Sequence, residues 1–226
     1  MFLRFNYENS NDIGVFVKLT NSYCIVPYDI SEKSLKFLQK GIKKNIPIIK
    51  VTILNSKCIG RLIIGNKKGV ILPYETTFEE YRKIQKMVPE TVLVKRCEEK
   101  FSALGNCVAN NDFSALAIPE ISSDTESLIA DVLGVEVFKI GLGSEKFIGS
   151  FCAMNNNGGI ISQYISVEDQ DEISSLLRIP LTIGTVNSGL KNIGSGLISN
   201  DWIGFCGIKT TQSEIFVLEN ALKKKE

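Results

Sequence analysis

Six thiols are the most reactive side chains of this chain: Cys24, Cys58, Cys97, Cys107, Cys152 and Cys206. They lack a partner, because histidine is absent from all 226 residues. A thiol or hydroxyl nucleophile needs a nearby base, and imidazole is the side chain best placed to take a proton near neutral pH. Its absence excludes Cys–His and Ser–His catalysis and every histidine-containing zinc site. No two cysteines have CxxC spacing, so a four-thiolate centre is not expected either. All six lie among apolar neighbours, which predicts reduced, buried thiols. Glu168, Asp169, Asp171 and Glu172 form an acidic group, but no oxygen-ligand loop accompanies them. Carboxylates at a helix start, favoured by the helix dipole, explain them better than a metal site. No GxGxxG, P-loop or GxSxG pattern occurs. The reading is a chain with no catalytic residue, no metal and no cofactor.

Binding is the remaining class. The net charge is +1, from 26 basic and 25 acidic residues. A free-standing nucleic-acid binder carries a clear basic excess, so any RNA contact should be local. Lys40, Lys43, Lys44, Lys50 and Lys57 bias the first quarter toward positive charge. Such lysines ordinarily solvate a helix face, and they can also touch phosphate at modest strength. Lys223, Lys224 and Lys225 before Glu226 suit a helix C-terminus. The N-terminal residues lack the basic and apolar regions of a signal peptide, and no apolar run reaches the roughly 18 residues of a membrane span. A soluble intracellular protein with no membrane contact is expected.

The elements that position these residues come from internal repetition. An apolar-Gly pair recurs at Ile13-Gly14, Ile59-Gly60, Leu104-Gly105, Ile148-Gly149 and Ile193-Gly194, at intervals of 46, 45, 44 and 45 residues. Asparagine follows seven positions later at Asn66, Asn111, Asn155 and Asn200, with Thr20 and then Asn21 in the first unit. A short apolar stretch comes next, then a hydroxyl at Ser31, Thr77, Ser123, Ser166 and Thr211. Thr77 with Glu80, Ser123 with Glu126 and Thr211 with Glu214 have capping-box spacing and predict helix starts. Asp169 after Ser166 is a shorter imitation, and Ser31 has only Ser34. Helical periodicity follows each cap. β-Branched strand signals precede each apolar-Gly pair, over 2–7, 47–54, 91–97, 135–140 and 180–186.

Each unit reads strand, turn, strand pair around a polar turn, then helix. Units of about 45 residues are too small to fold alone. An open stack needs polar end caps, and neither end of the sequence supplies one. The expectation is a single α+β domain over 1–226, with repeats near 1–41, 42–87, 88–133, 134–178 and 179–226, closed into a fivefold pseudosymmetric ring with helices outside.

Function is sought where the repeats stop being alike. The residue after the repeated glycine is Val15, Arg61, Asn106, Ser150 or Ser195. Arg61 and Asn106 are the largest polar groups of that set, suited to a partner's carbonyls or carboxylates; a solvated loop arginine is the other reading of Arg61. Trp202, the only tryptophan, is either an interface anchor or partly buried packing. The asparagine clusters at 110–112, 155–157 and 200–201 are read as turns rather than ligand sites.

The residues from Ile13 to Asn21, Phe101 to Asn106, Ala130 to Leu133, Val135 to Phe138, Ser166 to Leu177, Gly184 to Asn187 and Asn200 to Trp202 closely resemble the initiation factor 6 family. The resemblance runs from about residue 3 to residue 222. It implies the pentein fold, a β/α propeller of five repeats in a ring. It implies a non-catalytic protein, monomeric when free, that binds the large (60S) ribosomal subunit at its joining face, prevents premature association with the small (40S) subunit, and takes part in large-subunit biogenesis and export. The implied partners are ribosomal proteins near the sarcin–ricin loop, local ribosomal RNA and release factors of subunit maturation; the implied locations are cytoplasm, nucleus and nucleolus. The implied contact residues are Gly14, Arg61, Asn66, Gly105, Asn106 and Asp112. Animal and fungal members carry a serine-bearing tail past the last helix that this sequence does not show, so control through such a tail is not expected. The competing class is a guanidine-modifying enzyme of the same fold, which needs the missing histidine; a generic scaffold protein is a third.

Overall fold

The computed structural model describes residues 1–141 and 147–223. Lys224, Lys225 and Glu226, read above as part of a helix end, lie outside the described residues. Five short helices begin at the apolar-Gly pairs: α1 (Ile13–Phe16), α3 (Ile59–Leu62), α5 (Leu104–Cys107), α7 (Ile148–Phe151) and α9 (Ile193–Gly196). The sequence read these as turns. Bonds such as Val17 N–H to the Ile13 carbonyl (3.0 Å) make each a single helical turn.

Five long helices follow the hydroxyl positions: α2 (Glu32–Gly41), α4 (Phe78–Met87), α6 (Ser123–Leu133), α8 (Val167–Leu177) and α10 (Gln212–Leu222). Thr77 and Thr211 form complete capping boxes with Glu80 and Glu214. Ser31 and Ser166 accept one amide each, from Ser34 and Asp169. The expected Ser123–Glu126 box is not formed. Ser122 is the cap, its hydroxyl accepting the Thr125 amide at 3.1 Å. This shift puts every cap eighteen residues after its repeated apolar position. It also aligns the packing: the residue seven positions after each cap is Leu38, Ile84, Ile129, Ile173 or Leu218, and each is at most 1% exposed. Burying such a side chain contributes about 1.5–3 kcal/mol, so each helix is pinned at its centre.

The strands fall into three sets. Those before the short helices are β1 (Phe2–Phe5), β4 (Ile48–Val51), β7 (Leu93–Cys97), β10 (Glu136–Lys139) and β13 (Leu181–Gly184). Those just after them are β2 (Lys18–Leu19), β5 (Ile64–Gly65), β8 (Val108–Asn110), β11 (Cys152–Met154) and β14 (Leu197–Ser199). The third set, β3 (Cys24–Pro27), β6 (Gly69–Pro73), β9 (Ser114–Ala117), β12 (Gly159–Ser162) and β15 (Gly204–Gly207), is buried at every residue. Each of these central strands pairs antiparallel with the strand before it and parallel with the first strand of the following repeat, as in β2-β3-β4. The last sheet, β14-β15-β1, takes its third strand from the chain's beginning.

The expected pentein architecture, a β/α propeller closed into a ring, is corrected by this topology. The strands make five separate three-stranded sheets, and none is closed or curled into a barrel or propeller ring. The edge strands β2, β5, β8, β11 and β14 are two or three residues long, too short to carry a ladder into the next sheet. Neighbouring units meet through the short helices, α1 to α3, α5, α7 and α9, and α9 back to α1, and their edge strands also touch without forming a ladder, as β8 does with β5 and β11.

Glu80 links a helix start to a strained turn. Leu54 and Asn55 have positive φ values of 54° and 56°, a conformation costly for non-glycine residues. The buried Glu80 carboxylate accepts the Leu54 and Asn55 amides (both 3.2 Å) and the Thr52 hydroxyl (2.8 Å), besides its own cap. Glu214 does the same for Ser188 and Gly189. Burial pushes the Glu80 carboxyl up, but the bonds from Thr52, Asn55 and Thr77 outweigh it and leave the group below its ordinary value. A depressed carboxyl stabilises the fold above its unfolded pKa, and that contribution is lost as pH falls through the folded one. Glu80→Gln is therefore expected to cost about 2 kcal/mol at pH 7, a gap that narrows below the usual carboxylate range; urea melts at pH 7 and pH 3.5 check it.

Candidate functional site

The repeated glycines form a series of close backbone contacts. A β-carbon on Gly14 would collide with the Gly194 carbonyl oxygen; one on Gly60 with Gly14, on Gly105 with Gly60, on Gly149 with Gly105 and on Gly194 with Gly149. The five short helices thus lie backbone against backbone, at a distance only glycine permits.

Arg61 fastens this arrangement from the middle. Its Nε donates to the Gly14 carbonyl (3.1 Å), one terminal nitrogen to Gly149 (2.8 Å) and the other to Gly194 (2.9 Å). The planar guanidinium fork can span three acceptors held at fixed angles, and an ammonium cannot. Burial lowers the Arg61 pKa to about 10, which still leaves the group charged at neutral pH. The carbonyls expected for Arg61 are therefore the chain's own. Asn106, half-buried on the next short helix, accepts the Ser150 hydroxyl at 3.1 Å.

Asn66 and Asp112 sit in the turns at the far ends of β5 and β8, each 3% exposed. The Asn66 amide donates to the Asn111 and Leu133 carbonyls. The series continues from Asn111 to Asn155, Asn155 to Asn200 and Asn200 to Thr20, so each asparagine shapes its own turn and grips the next. One position on, Asp112 and Asp201 share the amides of Asn21 and Asn156, at 2.7–2.9 Å. Lys67 lies 3.8 Å from Asp112 and offsets part of their charge.

The structure therefore places the six sequence-selected residues at two levels. Gly14, Arg61, Gly105 and Asn106 share the short-helix end, while Asn66 and Asp112 belong to the turn network. Between the two levels lies a cavity of about 90 Å³ lined by Lys18, Arg61, Asn110 and Asp112, among others. The asparagine spacing was visible in the sequence, but only three-dimensional packing shows that each side chain serves two units. Trp202 is 47% exposed, with Lys43 Nζ 3.6 Å above its ring, a cation–π pair that no spacing signalled.

Nothing here favours covalent chemistry. Five of the six cysteines are buried, and burial pushes the thiols of Cys24, Cys107 and Cys152 up to about 12. A thiol in that state is a poor nucleophile. Among the described residues no group of three or more Cys, Asp or Glu could hold a metal ion, and no helix is long and apolar enough to cross a membrane.

A model of the eIF-6 family matches residues 2–221. Eukaryotic translation initiation factor 6 of Ostreococcus lucimarinus is 47% identical over 220 residues, covering 97% of this chain and 90% of that protein. The protein of the same name from Tetrahymena thermophila is 45% identical over 226 residues, covering 100% and 92%. Among solved structures, a dimethylarginine dimethylaminohydrolase adduct superposes with a TM-score of 0.51 at 14% identity, over 76% of this chain and 69% of that one. A likeness at that identity concerns the fold alone.

The glycine contact can be tested directly. Gly105→Ala must force backbone from backbone and is expected to cost about 1–3 kcal/mol. Gly141→Ala, whose β-carbon meets nothing closer than Pro119 at 3.8 Å among the described residues, should leave the melting temperature unchanged. Parallel thermal melts check both.

Proposed function

The chain belongs to the eIF-6 family, and from that premise we propose that the end of the molecule built from its short helices is its docking face for the large ribosomal subunit. The family function is to bind that subunit, to prevent its premature association with the small one, and to take part in large-subunit biogenesis; the chain is not an enzyme. The single observation that carries this reading is the family match over 2–221.

The geometry suits the task. A docking protein that blocks a joining surface needs bulk and a rigid contact patch, because preorganisation lowers the cost of binding. The backbone contact around Gly14 and Gly105 supplies rigidity, and Arg61 supplies it from beneath. Asn106 stands half-buried at this end beside Ser150, with its amide N–H groups available to partner carbonyls. In this reading Asn106 meets the partner, the buried backbone contacts at Gly14 and Gly105 together with Arg61 hold its position, and Asn66 and Asp112 keep the far turns from spreading. The finer partners are ribosomal proteins near the sarcin–ricin loop, with local ribosomal RNA contact and release factors acting later. Residence in cytoplasm, nucleus and nucleolus, and accompaniment of the subunit during export, follow from the same role. The near-neutral net charge of +1 fits a mainly protein-facing interface.

The guanidine-modifying alternative rests on the fold likeness to dimethylarginine dimethylaminohydrolase. The absent histidine and the raised thiol pKa values stand against it.

Sedimentation through sucrose gradients with separated subunits tests the reading. The protein should travel with the large subunit, not the small, and should reduce formation of the joined ribosome. Asn106→Ala should weaken large-subunit binding about thirtyfold, the equivalent of roughly 2 kcal/mol, with little change in melting temperature. Unchanged affinity would remove Asn106 from the interface.

A further inference from the structure

Two positions break the fivefold pattern by becoming cationic, and both line the same cavity. After the repeated glycine, only Arg61 is charged among Val15, Arg61, Asn106, Ser150 and Ser195. Five residues after the repeated apolar position, only Lys18 is charged among Lys18, Ile64, Ala109, Ala153 and Ile198. Packing does not require a charge, since the equivalent positions are filled by uncharged side chains. The two residues come from consecutive repeats, and the lining of the central cavity brings them together.

Their donors are not used up. Arg61 spends three N–H groups on the Gly14, Gly149 and Gly194 carbonyls; a guanidinium has five, so two have no partner among the described residues. The Lys18 ammonium makes no hydrogen bond or ion pair with any described residue. It is held down to a pKa of about 8 by burial first and by the Arg61 charge second. The carboxylate in the cavity lining, Asp112, is already engaged by the Lys67 amide and by the side chains of Asn21 and Asn156. Two like charges, each only partly exposed, are held beside one another in the cavity and repel. One further polar atom is orphaned: Asn110 Oδ1 is buried without a partner, placed to accept from a bridging water.

The cavity is large enough to resolve this. Its volume of about 90 Å³ exceeds the roughly 10–15 Å³ that one water needs on the same kind of measure. We propose that the central cavity is a binding site for a small inorganic anion, held between the Lys18 ammonium and the two free N–H groups of Arg61. The ion neutralises the repulsion between the cations and so secures the short-helix end from within. Chloride and a tetrahedral oxyanion such as phosphate share the required chemistry, and the test separates them.

Crystals grown without halide or oxyanion are soaked separately in sodium bromide and sodium selenate, and anomalous scattering is recorded at each absorption edge. A peak in the cavity within hydrogen-bond distance of Lys18 Nζ is expected for bromide if the site takes halide, or for selenate if it takes an oxyanion. No cavity peak from either ion overturns the proposal. In solution, at constant ionic strength set with a bulky organic anion, raising the favoured ion from 1 to 100 mM should lift the melting temperature by about 3 °C. In Lys18→Met that shift should vanish while large-subunit binding persists. An equal shift in Lys18→Met overturns the assignment to Lys18, and the anomalous map on the unaltered protein decides the site should that variant fail to fold.

Discussion

One contact organises the molecule: five helical turns meeting backbone to backbone, with an arginine donating to three of their carbonyl oxygens. A glycine must occupy each meeting point because the neighbouring carbonyl leaves no room for a β-carbon. Close approach alone would bring carbonyl dipoles together in a space with little water, which is unfavourable when they lack donors. Arg61 supplies donors to Gly14, Gly149 and Gly194 at once. It ties the first, fourth and fifth repeats through a residue of the second, so repeats distant in sequence are joined by one side chain. At the other end the asparagine relay and the shared amides of Asn21 and Asn156 do comparable work. The sheets between these levels need no continuous ladder, because the two polar networks hold the units together.

This construction explains why the symmetry is imperfect. Identical repeats would place five equal side chains at each level, with no means of bonding five carbonyls at one point. A single long, forked cation bonds three of them, and four smaller neighbours leave room for it. The same economy separates this chain from enzymes of similar fold. Here the arginine at the middle spends three of its N–H groups on backbone carbonyls, and burial keeps the Cys24 and Cys152 thiols protonated. What remains is a rigid body with a shaped end, the property a steric blocker of subunit joining needs.

Much of this was legible in the sequence, and the limits are instructive. The repeat period, the strand positions and four of the five helix caps follow from residue types, because capping and turn formation are local. Ser122 was missed because Ser123 stands beside it with a tempting Glu126; the constant spacing of eighteen residues would have chosen correctly. The sharing of each sheet between consecutive repeats left no local mark, since a strand's neighbours are set by tertiary packing. The expected propeller ring failed for a related reason: a repeat shows that units must associate, but not which atoms join them. Arg61 stood out as a break in symmetry, yet its partners lie 47, 88 and 133 residues away in the chain. Lys18 gave no signal until the cavity placed it beside Arg61.

Native-state hydrogen exchange on Arg61→Met is the most direct measure of whether that arginine governs the short-helix end. The amides of Val17 and Cys152 close α1 and α7, whose glycine carbonyls Arg61 binds, while the Val108 amide closes α5, to whose carbonyls the Arg61 side chain makes no hydrogen bond. If the arginine secures these turns, Val17 and Cys152 should exchange at least about tenfold faster in the variant, with Val108 changing less. Unaltered protection at Val17 and Cys152 would contradict the account.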